Sequence, residues 1–328
     1  MHAFVTGASG FLGRRVVARL RERGDRVVAL VRPERDATDL IELGAEIVRG
    51  DLAEPQALAE EAARADVVYH VGARVVSHGD WDEFERVNAR ATEVLMDAAF
   101  GGKARRFVHV SSLGIFELDR DGMTCSEETP YDSEPLLRGH YTRSKMHADR
   151  IARAAQRVGR PVVVVRPGQI YGHDHPQQPV FLGRVNKFLT SSLLLVVSKP
   201  SYKTPVVYVE NAADAVVLAG TVEGVDGQSF NVIDDPDLSQ RDYFRELARV
   251  RKGGLRVLYV PVALFLPAVA VVDRLHRLLK RRPWAAGYGL RRSGRSVRYA
   301  TDAARRSLGW QPRVPLGDAL REALSAGE

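Results

Sequence analysis

Six short apolar runs alternate with amphipathic stretches through the first 170 residues. "HAFVT", "DRVVALV", "AEIVRG", "DVVYHVG", "RRFVHVSS" and "PVVVVRP" are separated by segments such as "PQALAEEAARA", "ATEVLMDAAFGG" and "YTRSKMHADRIARAAQRVG". Strands that are apolar on both faces must be covered on both faces, and helical crossovers make successive strands parallel. The alternation therefore predicts the α/β class, a doubly wound parallel sheet between two helical layers. Gly24 and Gly159 each follow a helical stretch and precede a strand, where a left-handed C-cap is expected. After "RPGQIYG" the rhythm breaks. "YVENAADAVVLAG" reads as a strand running into a helix, "QSFNVID" as one more strand, and the rest as a smaller lobe. With no internal repeat and no low-complexity linker, the lobes are expected to interleave. A dinucleotide-type domain would occupy 1–170 and take back roughly 205–233, leaving 171–204 and 234–328 as a substrate lobe.

The 328 residues suffice for a large core, and the one cysteine, Cys125, excludes a disulfide framework and points to a reducing, cytoplasmic setting. The start, "MHAFVTG", has no basic segment leading into an apolar one, so no signal peptide is expected. Residues 274–298 hold nine Lys or Arg and no acid. Such a cluster suits an anionic membrane surface, a phosphorylated ligand or plain solvent. Nucleic acid is not expected, because aromatics do not interleave with the charges.

Behind the first apolar run stands "TGASGFLG", with Gly7, Gly10 and Gly13 three residues apart, and a helical pattern follows at once. A sharp strand-to-helix turn, a close backbone approach to a diphosphate and tight helix–strand packing each call for a glycine. The helix N-terminus then faces the anion. Together with "RGDL", "YHVGA", "VNARAT", "VSS", "YTRSK", "RPGQIYG" and "YVENAADA", in that order, the chain resembles the extended short-chain dehydrogenase/reductases of the NAD-dependent epimerase/dehydratase family. The branch it is most similar to is that of 3β-hydroxysteroid dehydrogenases and dihydroflavonol reductases. The resemblance implies a Rossmann-type fold with a smaller C-terminal substrate lobe, and a homodimer paired through the helices around Asn88 and Tyr141.

The same resemblance places the cofactor. Gly7 and Gly10 would border the diphosphate, Asp51 and Leu52 the adenine, and Gly72 and Ala73 the nicotinamide half, with Ser9, Phe11, Leu12, Asn88 and Pro167 also binding the cofactor. Asn88 and Thr92 match the family's helix start, with Ala91 in place of its glycine. Where members that bind NAD carry an acid at the end of the second strand, this chain has Val31 followed by Arg32. A guanidinium there suits the extra phosphate of NADP, which is the expected cofactor, with NAD as the alternative.

Tyr141 and Lys145 stand four apart and share one helix face. A phenol is a poor acid or base at neutral pH unless a nearby ammonium lowers its pKa, and such lowering is expected here. Ser112, the second serine of "VSS", aligns with the family's catalytic serine, although Phe116 and Glu117 replace the tyrosine and glycine that follow it. The implied reaction is hydride transfer between nicotinamide and a carbon bearing oxygen. Tyr141 would act as general acid/base, Lys145 would hold the nicotinamide ribose, and Ser112 would orient the substrate oxygen. No metal is expected: His173, Asp174 and His175 of "YGHDHPQQ" lack a spaced third ligand. His70 and His109 read as packed strand residues, and Cys125 as a polar-loop residue without a role.

The expected substrate is an apolar ketone or secondary alcohol, steroid-, flavonoid- or β-keto-acid-like. An epimerase or dehydratase of a nucleotide sugar, and a non-catalytic cofactor-binding protein, are the alternatives. Nucleotide-sugar members carry an asparagine in "R-x-F-N-x-Y-G", whereas this chain reads "RPGQIYG". The sixteen uncharged residues from Val257 to Val272, followed by a basic tail, fit either a peripheral membrane contact through 257–282 or a buried helix of the substrate lobe. Two prolines and the short length argue against a membrane span.

Overall fold

The computed structural model describes residues 1–75, 78–173, 193–251, 254–279 and 285–325. Seven parallel strands form the central sheet: β1 (His2–Thr6), β2 (Arg26–Val31), β3 (Glu46–Arg49), β4 (Val67–His70), β5 (Arg106–Val110), β7 (Val162–Pro167) and β11 (Ser229–Val232). Their order is β11-β7-β5-β4-β1-β2-β3. The six runs that read as strands all pair here, and "QSFNVID" supplies the seventh, at the edge beside β7. Strand order reverses between β1 and β4, so the carboxyl ends of those two strands flank the crevice where ligands of such sheets bind.

Helices cover both faces. α1 (Phe11–Glu22) turns Leu12, Val16, Val17 and Leu20 inward at helical spacing. It ends in a left-handed cap, with Gly24 at φ +81° and the Asp25 amide bonded back to Leu20 O. α2 (Thr38–Glu42) and α3 (Ala59–Arg64) are short. α4 (Trp81–Phe84) runs through a π-helical turn, Glu85–Arg90, into α5 (Ala91–Gly101), and α6 (Gly139–Arg157) is the long helix before β7. The core divides accordingly. Phe4, Leu95, Phe107 and Val164 lie on the side of α3, α5 and α6. Val5, Val17, Val108 and Phe230 lie on the other side, with α1 and α7 (Val209–Thr221). α1 and α7 are tied by charge as well: Arg15 and Arg19 meet Glu210 at 3.3 and 2.8 Å, and Arg19 meets Asp214 at 3.0 Å.

Outside the main sheet the chain makes more strands than its sequence announces. β8 (Gln169–Tyr171) pairs with β10 (Val206–Tyr208), β9 (Leu193–Val197) with β12 (Arg256–Val260), and β6 (Met123–Cys125) with β13 (Val297–Tyr299). Each is a two-stranded parallel ribbon between segments far apart in the chain. α8 (Gln240–Val250), α9 (Leu266–Leu278), α10 (Ala285–Ser293), α11 (Asp302–Ser307) and α12 (Leu316–Ser325) complete the C-terminal part. Its tail is latched to α7. Trp310, fully buried, donates its indole N–H to Asn211 O at 2.8 Å, and Asn211 Oδ1 accepts the amides of Arg313 and Val314.

Candidate active site

β1 stops at Thr6 because Gly7 turns the chain at φ +68°, where a Cβ would stand 2.5 Å from Gly72 Cα. The Gly10 amide closes the turn onto Gly7 O at 2.9 Å. On α1, a Cβ at Gly13 would lie 2.0 Å from that same carbonyl, so only glycine lets the helix sit this close to the strand. α1 begins with no side-chain cap and no acid in its first turn, and Ser9 and Gly10 at its mouth are exposed. The positive end of a helix dipole thus opens on the crevice beside β4, and these residues fit a diphosphate.

A buried polar chain fixes the floor. The Gly72 amide donates to Thr6 Oγ1 at 3.1 Å, and Thr6 Oγ1 lies 2.9 Å from His70 Nδ1. His70 Nε2 lies 3.0 Å from Thr92 Oγ1, which donates to Asn88 O at 2.8 Å. With the Thr92 proton committed to Asn88 O, His70 carries its proton on Nε2 and accepts the Thr6 hydroxyl at Nδ1. Burial first, and the Lys145 charge second, push its pKa down to about 3, so it is neutral. His109, stacked on His70 at 5.7 Å, is buried and held neutral by the same burial, as its strand position suggests. Leu52 presses from the side, its Cδ1 2.6 Å from where a Cβ on Gly72 would stand, while Asp51 Oδ1 caps the Ala53 amide at 2.8 Å. Ala73 is half-buried beside Gly72, and Pro167 is buried at the end of β7. Arg32, just past β2, is exposed and 3.3 Å from Glu34, and Arg49 clamps its turn by donating to the carbonyls of Arg32 and Arg35.

Ser112 and Lys145 meet where β5 ends, and Tyr141 lies one turn before Lys145 on α6. Ser112 caps a short 3₁₀ turn, Leu113–Ile115, its Oγ accepting the Gly114 amide at 3.1 Å. α6 packs against this turn. Lys145 is 3% exposed and donates to Val110 O at 2.6 Å. Burial pulls its pKa down to about 8, opposed by Asp149 one turn further along α6. Tyr141 lies in the first turns of the helix, and none of the described residues takes a hydrogen bond from its hydroxyl. Its phenol does not behave as its spacing from Lys145 suggests. Burial alone pushes it up to about 12, because the ammonium is turned to Val110 and desolvation disfavours a phenolate.

Asn88, 1% exposed, spends its whole amide on the protein. It brackets Arg74 at N (2.6 Å) and O (3.1 Å) and donates to Ser144 Oγ at 2.9 Å. Ser144 in turn bonds Tyr141 O, so Asn88 joins the loop after β4 to the Tyr141 turn. The π turn aims it there: one extra residue per turn rotates Asn88 inward, and such turns recur at functional sites.

Two buried ion clusters escaped the sequence reading. Arg166 forks onto Asp149 at 2.9 and 2.8 Å, both side chains at most 1% exposed, and Tyr131 donates to the same carboxylate at 2.7 Å. A signal was present. Asp149 extends the Tyr141–Lys145 spacing by four, and a lone arginine in "VVVVRP" needs a partner. The second cluster centres on Asp132, whose side chain is fully buried. Arg292 donates to Oδ2 at 3.1 Å, Arg138 Nε stands 3.1 Å from the same oxygen, and Tyr288 donates to Oδ1 at 2.7 Å.

Three expectations are corrected or left open. Cys125 is not in a polar loop: it ends β6, is 0% exposed, and burial raises its thiol to about 11. Pairing with β13 makes the strand, a partner local sequence cannot announce. In 257–282, the buried-helix reading fails, since Leu266, Val271, Leu275 and Leu278 of α9 are exposed and, among its described side chains, Val269 is the buried one. Asp174 and His175 lie outside the described residues, among which no cluster of metal-ligating side chains occurs.

Residues 3–232 match the model of the NAD dependent epimerase/dehydratase family. The chain is 31% identical to the 4-hydroxy-2-methyl-3-oxo-4-farnesyl-3,4-dihydroquinoline-1-oxide ketoreductase of Stigmatella aurantiaca, over 100% of this chain and 98% of that protein. It is 27% identical to the 2-alkyl-3-oxoalkanoate reductase of Stenotrophomonas maltophilia strain K279a, over 98% of each. The crystal structure of gox2253 superposes with a TM-score of 0.85 at 25% identity, covering 99% of this chain and 97% of that one. The glycine turn at the switch point, the family match and the named relatives converge. The chain belongs to the NAD-dependent epimerase/dehydratase family, the extended short-chain dehydrogenase/reductases, and is an oxidoreductase that works with a nicotinamide dinucleotide.

Proposed function

We propose that this enzyme reduces the ketone of an apolar substrate with NADPH, Tyr141 supplying the proton. The nicotinamide supplies hydride; the chain's own residues handle the oxygen. The observation that carries the reading is at Ser112. Because its Oγ already accepts the Gly114 amide, the hydroxyl proton is left to donate outward, toward a carbonyl oxygen. Tyr141, kept protonated by burial, is a proton donor at neutral pH, which suits reduction better than oxidation. Lys145, still mostly an ammonium near pH 7, would hold the cofactor ribose and keep the site positive as the oxygen gains charge. Gly7, Ser9, Gly10, Phe11 and Leu12 would hold the diphosphate, with Asp51, Leu52, Gly72, Ala73 and Pro167 along the rest of the cofactor. Asn88 would act through Tyr141's turn rather than by touch.

Support for NADP is the setting of Arg32, with Val31 in place of an acid and Arg49 steadying the turn. The named relatives, a ketoreductase and a 3-oxoalkanoate reductase, support a ketone substrate. We place the substrate lobe in 171–204 and 234–328, and pair two chains through α4–α5 and α6. The test follows NADPH and NADH consumption against apolar ketones, 3-oxo acids and nucleotide sugars. Ketone-dependent NADPH oxidation is expected, and Tyr141→Phe should lower it by roughly a hundredfold or more while NADPH still binds. Interconversion of a UDP-sugar without net NADPH loss, or undiminished Tyr141→Phe turnover, would overturn the reading.

A further inference from the structure

The Asp132 cluster is charged beyond what its own carboxylate requires. Arg292 alone serves Asp132 well: it donates Nη1 to Oδ2 at 3.1 Å, spends Nη2 on Phe116 O at 2.8 Å, and is 9% exposed. Tyr288 and the Glu134 amide fill Oδ1 at 2.7 and 2.9 Å. Arg138 is the supernumerary member. Its Nε, 3.1 Å from Oδ2, is out of line for a hydrogen bond, and the one bond it makes among the described residues runs from Nη2 to Gly114 O at 2.8 Å. Glu117, the other acid nearby, accepts the Ser133 amide and faces Tyr288. The Arg138 side chain is 17% exposed, and among the described residues only one of its five N–H groups is spent on a hydrogen bond.

The position of that guanidinium decides its use. Arg138 lies three residues before Tyr141, and a methyl group on Gly114 would stand 3.4 Å from Ser112 Oγ and 3.9 Å from Arg138 Nη2. The hydroxyl assigned to the ketone oxygen and the spare guanidinium thus border one small space. We propose that Arg138 is the anion-recognition residue of the substrate site, and that the substrate carries a carboxylate next to its ketone, as a 3-oxo acid does. This rests on the ketoreductase reading and narrows it. Burial, then Arg292, hold the Arg138 guanidinium below its ordinary pKa, a penalty that a docked carboxylate relieves. The guanidinium fork matches a carboxylate in shape as well as sign.

The matched probes are 3-oxodecanoate, freshly prepared, and its methyl ester, identical but for the charge. The wild-type kcat/KM for the acid should exceed that for the ester by roughly tenfold or more, the worth of one charge-assisted hydrogen bond. Arg138→Met should bring the ratio near one, and Arg138→Lys should recover part of it. A merely structural Arg138 would lower both substrates together and leave the ratio untouched, which overturns the proposal; so does a wild-type ratio near one. If neither compound is reduced, the ketoreductase reading has failed separately. Calorimetry with 3-hydroxydecanoate and its methyl ester then decides: acid-selective binding lost in Arg138→Met upholds the anion site, and equal binding of acid and ester sinks it.

Discussion

Lys145 is held where a charge is costly, with its Nζ against Val110 O and almost no solvent around it. The folded chain gives up its proton near pH 8, whereas an unfolded lysine keeps it to about 10.5. Between those values the unfolded state binds more protons, so stability rises with pH across this window, and below it the full penalty stands. Lys145→Met should remove that rise. The wild type should gain on the order of 3 kcal/mol on the variant between pH 7.5 and 10.5, read from urea midpoints. Parallel curves for the two proteins would mean that the ammonium is not desolvated. Ser112, Tyr141 and Lys145 could be nominated because each sits in a short motif whose members are neighbours in sequence. What Tyr141 experiences was not legible, since its raised pKa comes from burial that only the assembled fold creates. The Asp132 cluster was hidden for a related reason: Asp132 and Arg292 are 160 positions apart.

Elements that carry a period announced themselves. The strands of the main sheet and α1, α5 and α6 follow their apolar patterns to within a few residues. The three-residue strands β6, β8 and β13 did not, because a run that short has no period and becomes a strand only when its partner arrives; β10 showed itself only through the helix that follows it. The π turn before α5 was equally silent; its sequence, "ERVNAR", would continue an ordinary helix. The contact between β1 and α1 is where element geometry is least forgiving. Gly13→Ala would drive a methyl group to 2.0 Å from the Gly7 carbonyl, with backbone on both sides. About 3 kcal/mol of stability should be lost, with nucleotide affinity falling alongside as the turn is displaced. Denaturation and NADPH fluorescence titration check this together, and an unchanged variant would mean that α1 does not sit so close.

Among the described residues, much of the exposed apolar surface falls on two neighbouring segments. On the β9–β12 ribbon, Leu195 and Leu258 stand opposite one another and exposed, and α9 adds Leu266, Val271, Leu275 and Leu278. The chain from 274 to 298 has only basic charges. Among the described residues no helix is long and apolar enough to cross a membrane. We expect the protein to float with vesicles rich in anionic lipid, to be released by salt, and to lose that binding on Leu275→Glu with Leu278→Glu. Equal recovery with neutral vesicles, or none with anionic ones, would remove the membrane reading. β11 returns to the sheet, beside β7, after the chain has left it. The burial of Cys125 has a consequence of its own. The only thiol in the chain stands in β6, opposite Tyr299 of β13 and packed among Ile115, Phe116 and Met146, so a maleimide can reach it only when that packing opens. The protein thus carries a reporter on its own breathing, and the rate at which that sulfur is alkylated would clock how often this packing opens.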